Sequence, residues 1–157
     1  RDFCLSRGLG DVYKRQPMYI NSDIVRKELL KESVIRRVIE IIRRSDYVVT
    51  GIADVSTERK KNTWAGYLTE EKMQDLVKNG AVGYLCGYFL DKNGKKLSDP
   101  INDKIIGISF EELKKVPHVI AVAGGIDKTQ AILAALKGKL INCLITDSRI
   151  AEKLLDM

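Results

Sequence analysis

Residues 119–138 read Val119-Ile-Ala-Val-Ala-Gly-Gly-Ile-Asp-Lys128 and then Thr129-Gln-Ala-Ile-Leu-Ala-Ala-Leu-Lys-Gly138. The apolar run 119–123 lacks polar alternation, as in a strand buried on both faces. Gly124 and Gly125 make a turn, and the apolar spacing that follows is helical up to Gly138. A strand–turn–helix joint of this kind presents backbone N–H groups at a helix N-terminus, where an anion can sit. The two glycines let the backbone approach a ligand with no Cβ in the way. Lys128 falls in the first helical turn, where a cation opposes the helix dipole. A bound phosphate is one reason to find it there; a tight turn with a solvated lysine is the other. The spacing is neither that of a P-loop nor that of the dinucleotide fingerprint.

The pattern continues downstream. Strand 118–123, helix 127–137, strand 140–145 and helix 148–156 alternate, which implies a parallel sheet covered by helices. Upstream, Val25, Leu29, Ile35, Val38, Ile39 and Ile42 suggest one helical segment over 23–45, capped by Asn21 or Ser22. Asp46 to Ile52 reads as a buried strand ending at glycine. Residues 53–68 read as a polar loop holding Trp64, and Thr69 caps a helix from Glu70 to Lys78 that stops at Asn79-Gly80. Val82 to Leu90 reads as one strand, and Lys92-Asn-Gly-Lys95 as a hairpin turn. Lys104 to Ile108 reads as a short strand. Ser109 and Glu112 have the spacing of a capping box, and their helix ends before Pro117.

Ligands of open α/β sheets bind beyond the carboxyl ends of the strands. Three turns are expected there: Gly51 to Asp54, Ala123 to Lys128, and Thr146 to Ser148. Gly80-Ala81-Val82-Gly83 joins them as it enters its strand. Together they suggest one small-molecule cleft with acceptors, backbone donors and a lysine.

Bulk properties narrow the function classes. At 157 residues, 45% apolar and 31% charged, the chain is one globular domain or a piece of one. No apolar run reaches the roughly 18 residues of a membrane span, and there is no secretory h-region. Cys4, Cys86 and Cys143 lack metal spacing; Cys86 and Cys143 read as small core residues, which suits a reducing cytoplasm. The lone His118 excludes multi-histidine metal sites, and neither metal nor cofactor is expected. Most of the net charge of +6 lies in the tail and the first helical segment. Residues 1–16 hold four cations against two acids, and 23–45 hold seven against four. These read mainly as solvated surface rather than as a nucleic-acid reader.

The ordered set of segments resembles the sugar-binding effector domain of SorC-type bacterial transcriptional regulators. It comprises Asp46…Gly51-Ile52, Gly80-Ala-Val-Gly83, Phe89-Leu-Asp-Lys-Asn-Gly94, Asn102-Asp-Lys-Ile-Ile-Gly-Ile-Ser109, Val119 to Lys128, Ala131 to Leu136, and Leu144-Ile-Thr-Asp147 with Ala151 and Leu154-Leu155. The resemblance covers about 17–157. It implies an α/β, three-layer sandwich similar to ribose-5-phosphate isomerase and glucosamine-phosphate deaminase, incomplete at its N-terminus. It also implies a phosphorylated-sugar effector, a homo-oligomer, and DNA contact only through a helix-turn-helix domain absent from this chain. Carried over, Gly124, Gly125 and Lys128 form part of the phosphate or sugar contact. Gly51, Ala53 and Asp54 form the first cleft loop, and Gly80, Ala81, Val82 and Gly83 the opposite wall. Tyr84 stands where the family usually has an acid, and Ile150 where it usually has threonine.

Two other classes compete. A sugar-phosphate isomerase or deaminase on the same fold needs a general base; Asp54, Asp127 and Asp147 are the available carboxylates, though such aspartates are more often caps and turn formers. Lys128 is the conceivable Schiff-base lysine of such an enzyme. The other class is a purely structural module.

Residues 1–16 show no period, fall outside the resemblance and read as a non-native or disordered tail. Deleting them is expected to leave the unfolding midpoint of 17–157 unchanged; a large loss of stability on deletion would contradict that reading.

Overall fold

The computed structural model describes residues 18–55 and 67–157. The tail 1–16, Pro17, and most of the expected 53–68 loop with Trp64 lie outside the described residues. The elements, in order, are α1 (Asp23–Leu29), α2 (Ser33–Arg43), β1 (Tyr47–Asp54), α3 (Glu70–Lys78), β2 (Gly83–Leu85), β3 (Tyr88–Leu90), a 3₁₀ turn (Pro100–Asp103), α4 (Phe110–Leu113), β4 (His118–Val122), a second 3₁₀ turn (Ile126–Lys128), α5 (Thr129–Lys137), β5 (Cys143–Ile145) and α6 (Ser148–Leu155).

The strands form one sheet in the order β3-β2-β1-β4-β5. β1, β4 and β5 are parallel, with Thr50 opposite Ala121 and Val122 opposite Ile145. Asn142 leads β5 into place: its side chain accepts from the Val119 N–H and donates to the Pro117 carbonyl. β2 and β3 add an antiparallel hairpin on the other side of β1. The fold is thus α/β, with a sheet parallel in its middle and antiparallel at one edge.

Several boundaries differ from the sequence reading. The 23–45 segment is two helices. Between Leu29 and Ile35 the apolar stripe slips by six residues, which rotates it off one helical face, and the chain breaks there at Glu32. Ser22 does cap α1, accepting from Val25 N–H. β1 does not end at Gly51 but runs on to Asp54, changing partner from β4 to β2. The 82–90 strand is a hairpin whose two turn residues, Cys86 and Gly87, both have positive φ, as a tight primed turn demands. A cysteine in place of asparagine or aspartate hid that turn. Cys86 is half-buried there and donates through its thiol to Thr50 Oγ1; burial pushes the thiol pKa up, against that hydrogen bond. Cys143 is exposed rather than a core residue. Residues 104–108 form only a bridge, Ile105 to Tyr19.

The core lies on one side of the parallel strands. Ile52, Val119 and Ala121 pack with Met73 and Leu76 of α3, Ala131, Ile132 and Ala135 of α5, and Ile150 of α6. Strand 119–122 is therefore not buried on both faces: Val119 and Ala121 are buried, while His118 and Val122 are exposed. The capping box of α4 is complete in both directions. Asn102, buried, holds β3 by accepting from Phe89 N–H and donating to the Phe89 and Leu97 carbonyls.

Glycines set how closely α5 lies on the sheet. A Cβ at Gly83 would collide with the Ala131 side chain and, at 2.7 Å, with the Ala53 carbonyl. Gly94, at φ +73°, lies against Gly138 so closely that a Cβ on either would strike the other's backbone. Gly138 is therefore required by contact; the left-handed residue that closes α5 is Lys139, at φ 53°, whose N–H bonds to Leu136 while Leu140 N–H bonds to Ala135. Replacing Gly138 with alanine is expected to cost about 1–3 kcal/mol by denaturant unfolding. At Gly107, where a Cβ meets nothing within 4 Å, the same change is expected to stay within about 0.5 kcal/mol. Equal costs at the two positions would contradict the contact argument.

Candidate functional site

At the carboxyl end of β4 the chain turns through Ala123-Gly124-Gly125 into the Ile126–Lys128 turn and α5. At the carboxyl end of β5 it turns through Thr146-Asp147 into α6. Because β4 and β5 are neighbouring parallel strands, the two turns and two helix N-termini lie side by side. The end of β1 completes the group, since it reaches the Ile126–Lys128 turn.

Asp147 ties the two turns together. One carboxylate oxygen accepts the Gly125 N–H at 3.0 Å and the other accepts the Ile150 N–H at 3.2 Å, capping α6. These backbone donors, Gly125 first and then Ile150, hold the Asp147 carboxyl below the usual aspartate range. Gly125 sits at φ 99° and ψ 125°, a conformation open in practice only to glycine. Gly124 faces the same carboxylate: a Cβ there would lie 3.4 Å from Asp147 Oδ2.

Between the turns is a cleft of about 440 Å³ lined by Gly125, Ile126, Asp127, Asp147, Ser148 and Arg149. A larger cavity, about 590 Å³, lies at the opposite, amino end of the strands, around Arg43, Asp46 and Pro117. The cleft at the carboxyl ends is the one that parallel-sheet geometry favours for a ligand.

The residues read from sequence divide between cleft and scaffold. Gly124 and Gly125 stand at the cleft as expected. Lys128 is half-buried; its N–H donates to the Gly125 carbonyl, and it follows Asp127 of the cleft lining without being part of it. Ala53 and Asp54 are the last residues of β1, paired with Tyr84 and Gly83. Gly51 is inside β1, paired with Val122; it is not a turn. Gly80, at φ 93°, closes α3, its N–H bonded to Val77 while Ala81 N–H bonds to Leu76. Ala81 is buried, and Val82 N–H pairs with the Leu90 carbonyl. Of this stretch Gly83 alone is the register partner of Asp54 at the strand end, and its bare Cα serves contact with α5.

Arg149 went unread as a site residue, although Thr146 to Ser148 beside it was read as a cleft turn. Its signal was present in the Asp-Ser-Arg that follows an apolar strand and opens a helix. Ile150 is fully buried, so its side chain is scaffold, and Tyr84 packs on Phe89 with ring centroids 5.3 Å apart. No group of three or more His, Cys, Asp or Glu side chains able to hold a metal occurs among the described residues. No helix among them is long and apolar enough to cross a membrane.

Residues 13–156 match the family model described as "Putative sugar-binding domain". The transcriptional regulator LsrR of an Enterobacter species is 38% identical over 141 residues, covering 88% of this chain and 44% of that protein. The deoxyribonucleoside regulator of Bacillus subtilis is 33% identical over 144 residues, covering 92% and 45%. Among solved structures, a DeoR family transcriptional regulator from Listeria monocytogenes superposes with a TM-score of 0.82 at 29% identity, covering 89% of this chain and 56% of that one. The full-length sorbitol operon regulator SorC from Klebsiella pneumoniae gives 0.81 at 27%, covering 88% and 45%. The chain thus spans a little under half the length of the curated relatives it matches.

Two outcomes are expected at the joint between the turns. Gly125→Ala should lose about 1–3 kcal/mol through backbone strain, read by thermal or denaturant unfolding. Asp147→Asn tests the carboxylate. The folded-state pKa of Asp147 is lowered, so its contribution is present above the unfolded value near pH 4 and is lost as the pH falls through the folded value. The variant should be less stable than the parent at pH 7, and the gap should close in acid. A gap independent of pH would contradict the role of the charge.

Proposed function

We propose, because the chain belongs to the sugar-binding domain family, that it senses a phosphorylated sugar at the carboxyl ends of β1, β4 and β5, as part of a transcriptional regulator. The observation that carries this reading is the convergence of two helix N-termini on one cleft, with Arg149 on its lining and Lys128 at the end of the turn that enters α5. Each N-terminus offers N–H groups and a positive dipole end. The Gly124-Gly125 turn keeps the backbone clear of side chains where an anion approaches. Asp147 already accepts Gly125 N–H and Ile150 N–H, so the phosphate is held by the other donors of these turns and by the two cations, while Asp147 keeps the turns in register. Asp127 on the cleft lining and Asp54 at the end of β1 are the carboxylates this reading assigns to sugar hydroxyls.

The reading is one of binding without turnover. Asp147, one of the carboxylates an enzyme on this fold could use as its base, is engaged in holding the two turns through Gly125 N–H and Ile150 N–H. The sensor works in the cytoplasm as a homo-oligomer, and DNA contact falls to a part of the regulator outside this chain. Sugar-phosphate binding changes that DNA contact.

Calorimetric titration of the regulator with sugar phosphates and the matching free sugars tests this. The phosphorylated form should bind. Lys128→Ala and Arg149→Ala should each lose roughly ten- to a hundredfold in affinity, the usual worth of a charge-assisted contact. Equal binding of free and phosphorylated sugar, or variants as tight as the parent, would refute the anion site.

A further inference from the structure

Asparagine is followed by glycine at two places in the sequence, Asn79-Gly80 and Asn93-Gly94. The dipeptide has a chemistry of its own, because glycine has no Cβ to keep its amide nitrogen away from the asparagine side chain. Both asparagines are exposed. Their glycines differ. Gly80 closes α3, and a Cβ there would meet nothing within 4 Å. Gly94 is buried, and a Cβ there would strike the Ala134 carbonyl and the Gly138 backbone at the end of α5. One pair therefore stands in open space, and the other lies against the helix whose seating fixes the cleft.

One residue holds the loop around Asn93. Gly94 N–H donates to the Asp91 carbonyl, and Asp91 N–H to the Lys95 carbonyl, each at 3.0 Å. Asp91 Oδ1 accepts from Asn93 N–H at 2.8 Å and from Lys95 N–H at 2.9 Å. This is a hairpin loop closed by a left-handed glycine, at φ 73°. While Gly94 N–H donates to a carbonyl, its nitrogen keeps its proton and is no nucleophile. Attack on the Asn93 side chain therefore requires local opening of the loop. Asp91, which makes every one of these bonds, sets how often that happens.

We propose that Asn93-Gly94 is a site of spontaneous deamidation, gated by Asp91, whose isoaspartate product unseats the C-terminal end of α5. In the opened loop the Gly94 nitrogen gives up its proton and bonds to Asn93 Cγ. The Cγ–Nδ2 bond breaks, and ammonia leaves with that proton, so that a succinimide ring remains. Water then opens the ring at one of its two carbonyl carbons, and its second proton returns to the nitrogen. Opening at Cγ gives aspartate. Opening at the main-chain carbon gives isoaspartate, whose backbone runs through Cβ and Cγ and is longer by one carbon, about 1.5 Å. Gly94 lies too close to Gly138 to accept even a Cβ, so the lengthened loop cannot keep it there. At Asn79 the same product has open space around it. The inference does not depend on what the cleft binds.

The test is to age the chain in mildly alkaline buffer and follow both asparagines by mass spectrometry. A protease that cuts before aspartate releases residues 91–98; it also cuts before a new aspartate at position 93 but not before isoaspartate, which separates the two products. Asp91→Ala should speed the loss of Asn93 by roughly tenfold or more, the worth of hydrogen bonds to a charged group, and leave the rate at Asn79 unchanged. The aged fraction with isoaspartate at position 93, isolated by ion exchange, should melt below the unaged chain. A fraction modified only at Asn79 should melt with it. Asn93→Gln, whose ring closure is slow because the ring is larger, should keep its melting temperature through the same ageing. Three results would each overturn the proposal: an Asn93 that stays intact through ageing, equal rates at Asn93 in parent and Asp91→Ala, and a fraction modified at position 93 that melts with the unaged chain.

Discussion

The close seating of α5 on the sheet is the contact on which the rest depends. Ala131, Ile132, Ala134 and Ala135 are fully buried, and small side chains let the helix approach the strands. Gly83 and Gly138 permit that approach near its two ends, each removing a Cβ that would strike a neighbour. With α5 fixed this closely, the turn that enters it is fixed too. Gly124 to Lys128 therefore stands beside the end of β1 and the start of α6, and Asp147 can span the two turns with one carboxylate. Loss of a glycine contact deep in the fold would displace the cleft as well as loosen the core.

Much of this was legible in the residues. The strand–turn–helix joint, the alternation of the C-terminal third and the caps at Ser22, Thr69, Ser109 and Asp147 all follow from local chemistry that the tertiary fold does not override. What was not legible has specific causes. Gly51 looks like a strand terminator, yet β1 passes through it because β2 takes over pairing from β4. Cys86-Gly87 turns a hairpin with an uncommon residue in a left-handed position. The unbroken apolar run 119–123 looks doubly buried, but that depends on what covers the second face.

The site was legible in the same uneven way. A glycine can serve a ligand, a helix end or a close contact, and sequence does not distinguish these uses. Gly124 and Gly125 lie at the cleft, Gly80 ends a helix, and Gly83 lets α5 approach. Arg149 was missed although it stands in a helix's first turn, the signal that singled out Lys128; without the double glycine beside it, only the placement of β5 next to β4 brings it to the cleft. The third dimension turned a second cation and a second helix N-terminus toward the same cleft. The family match gives a sugar-binding domain, and the placement of these turns is what supports the proposed ligand edge.

The most direct test of that picture is an amide chemical-shift titration of the ¹⁵N-labelled chain with a sugar phosphate. The account predicts that the largest shifts fall on Gly124 to Lys128 and on Thr146 to Ile150, with smaller ones at Asp54. Shifts concentrated around Arg43, Asp46 and Lys115 at the amino end of the strands would contradict it.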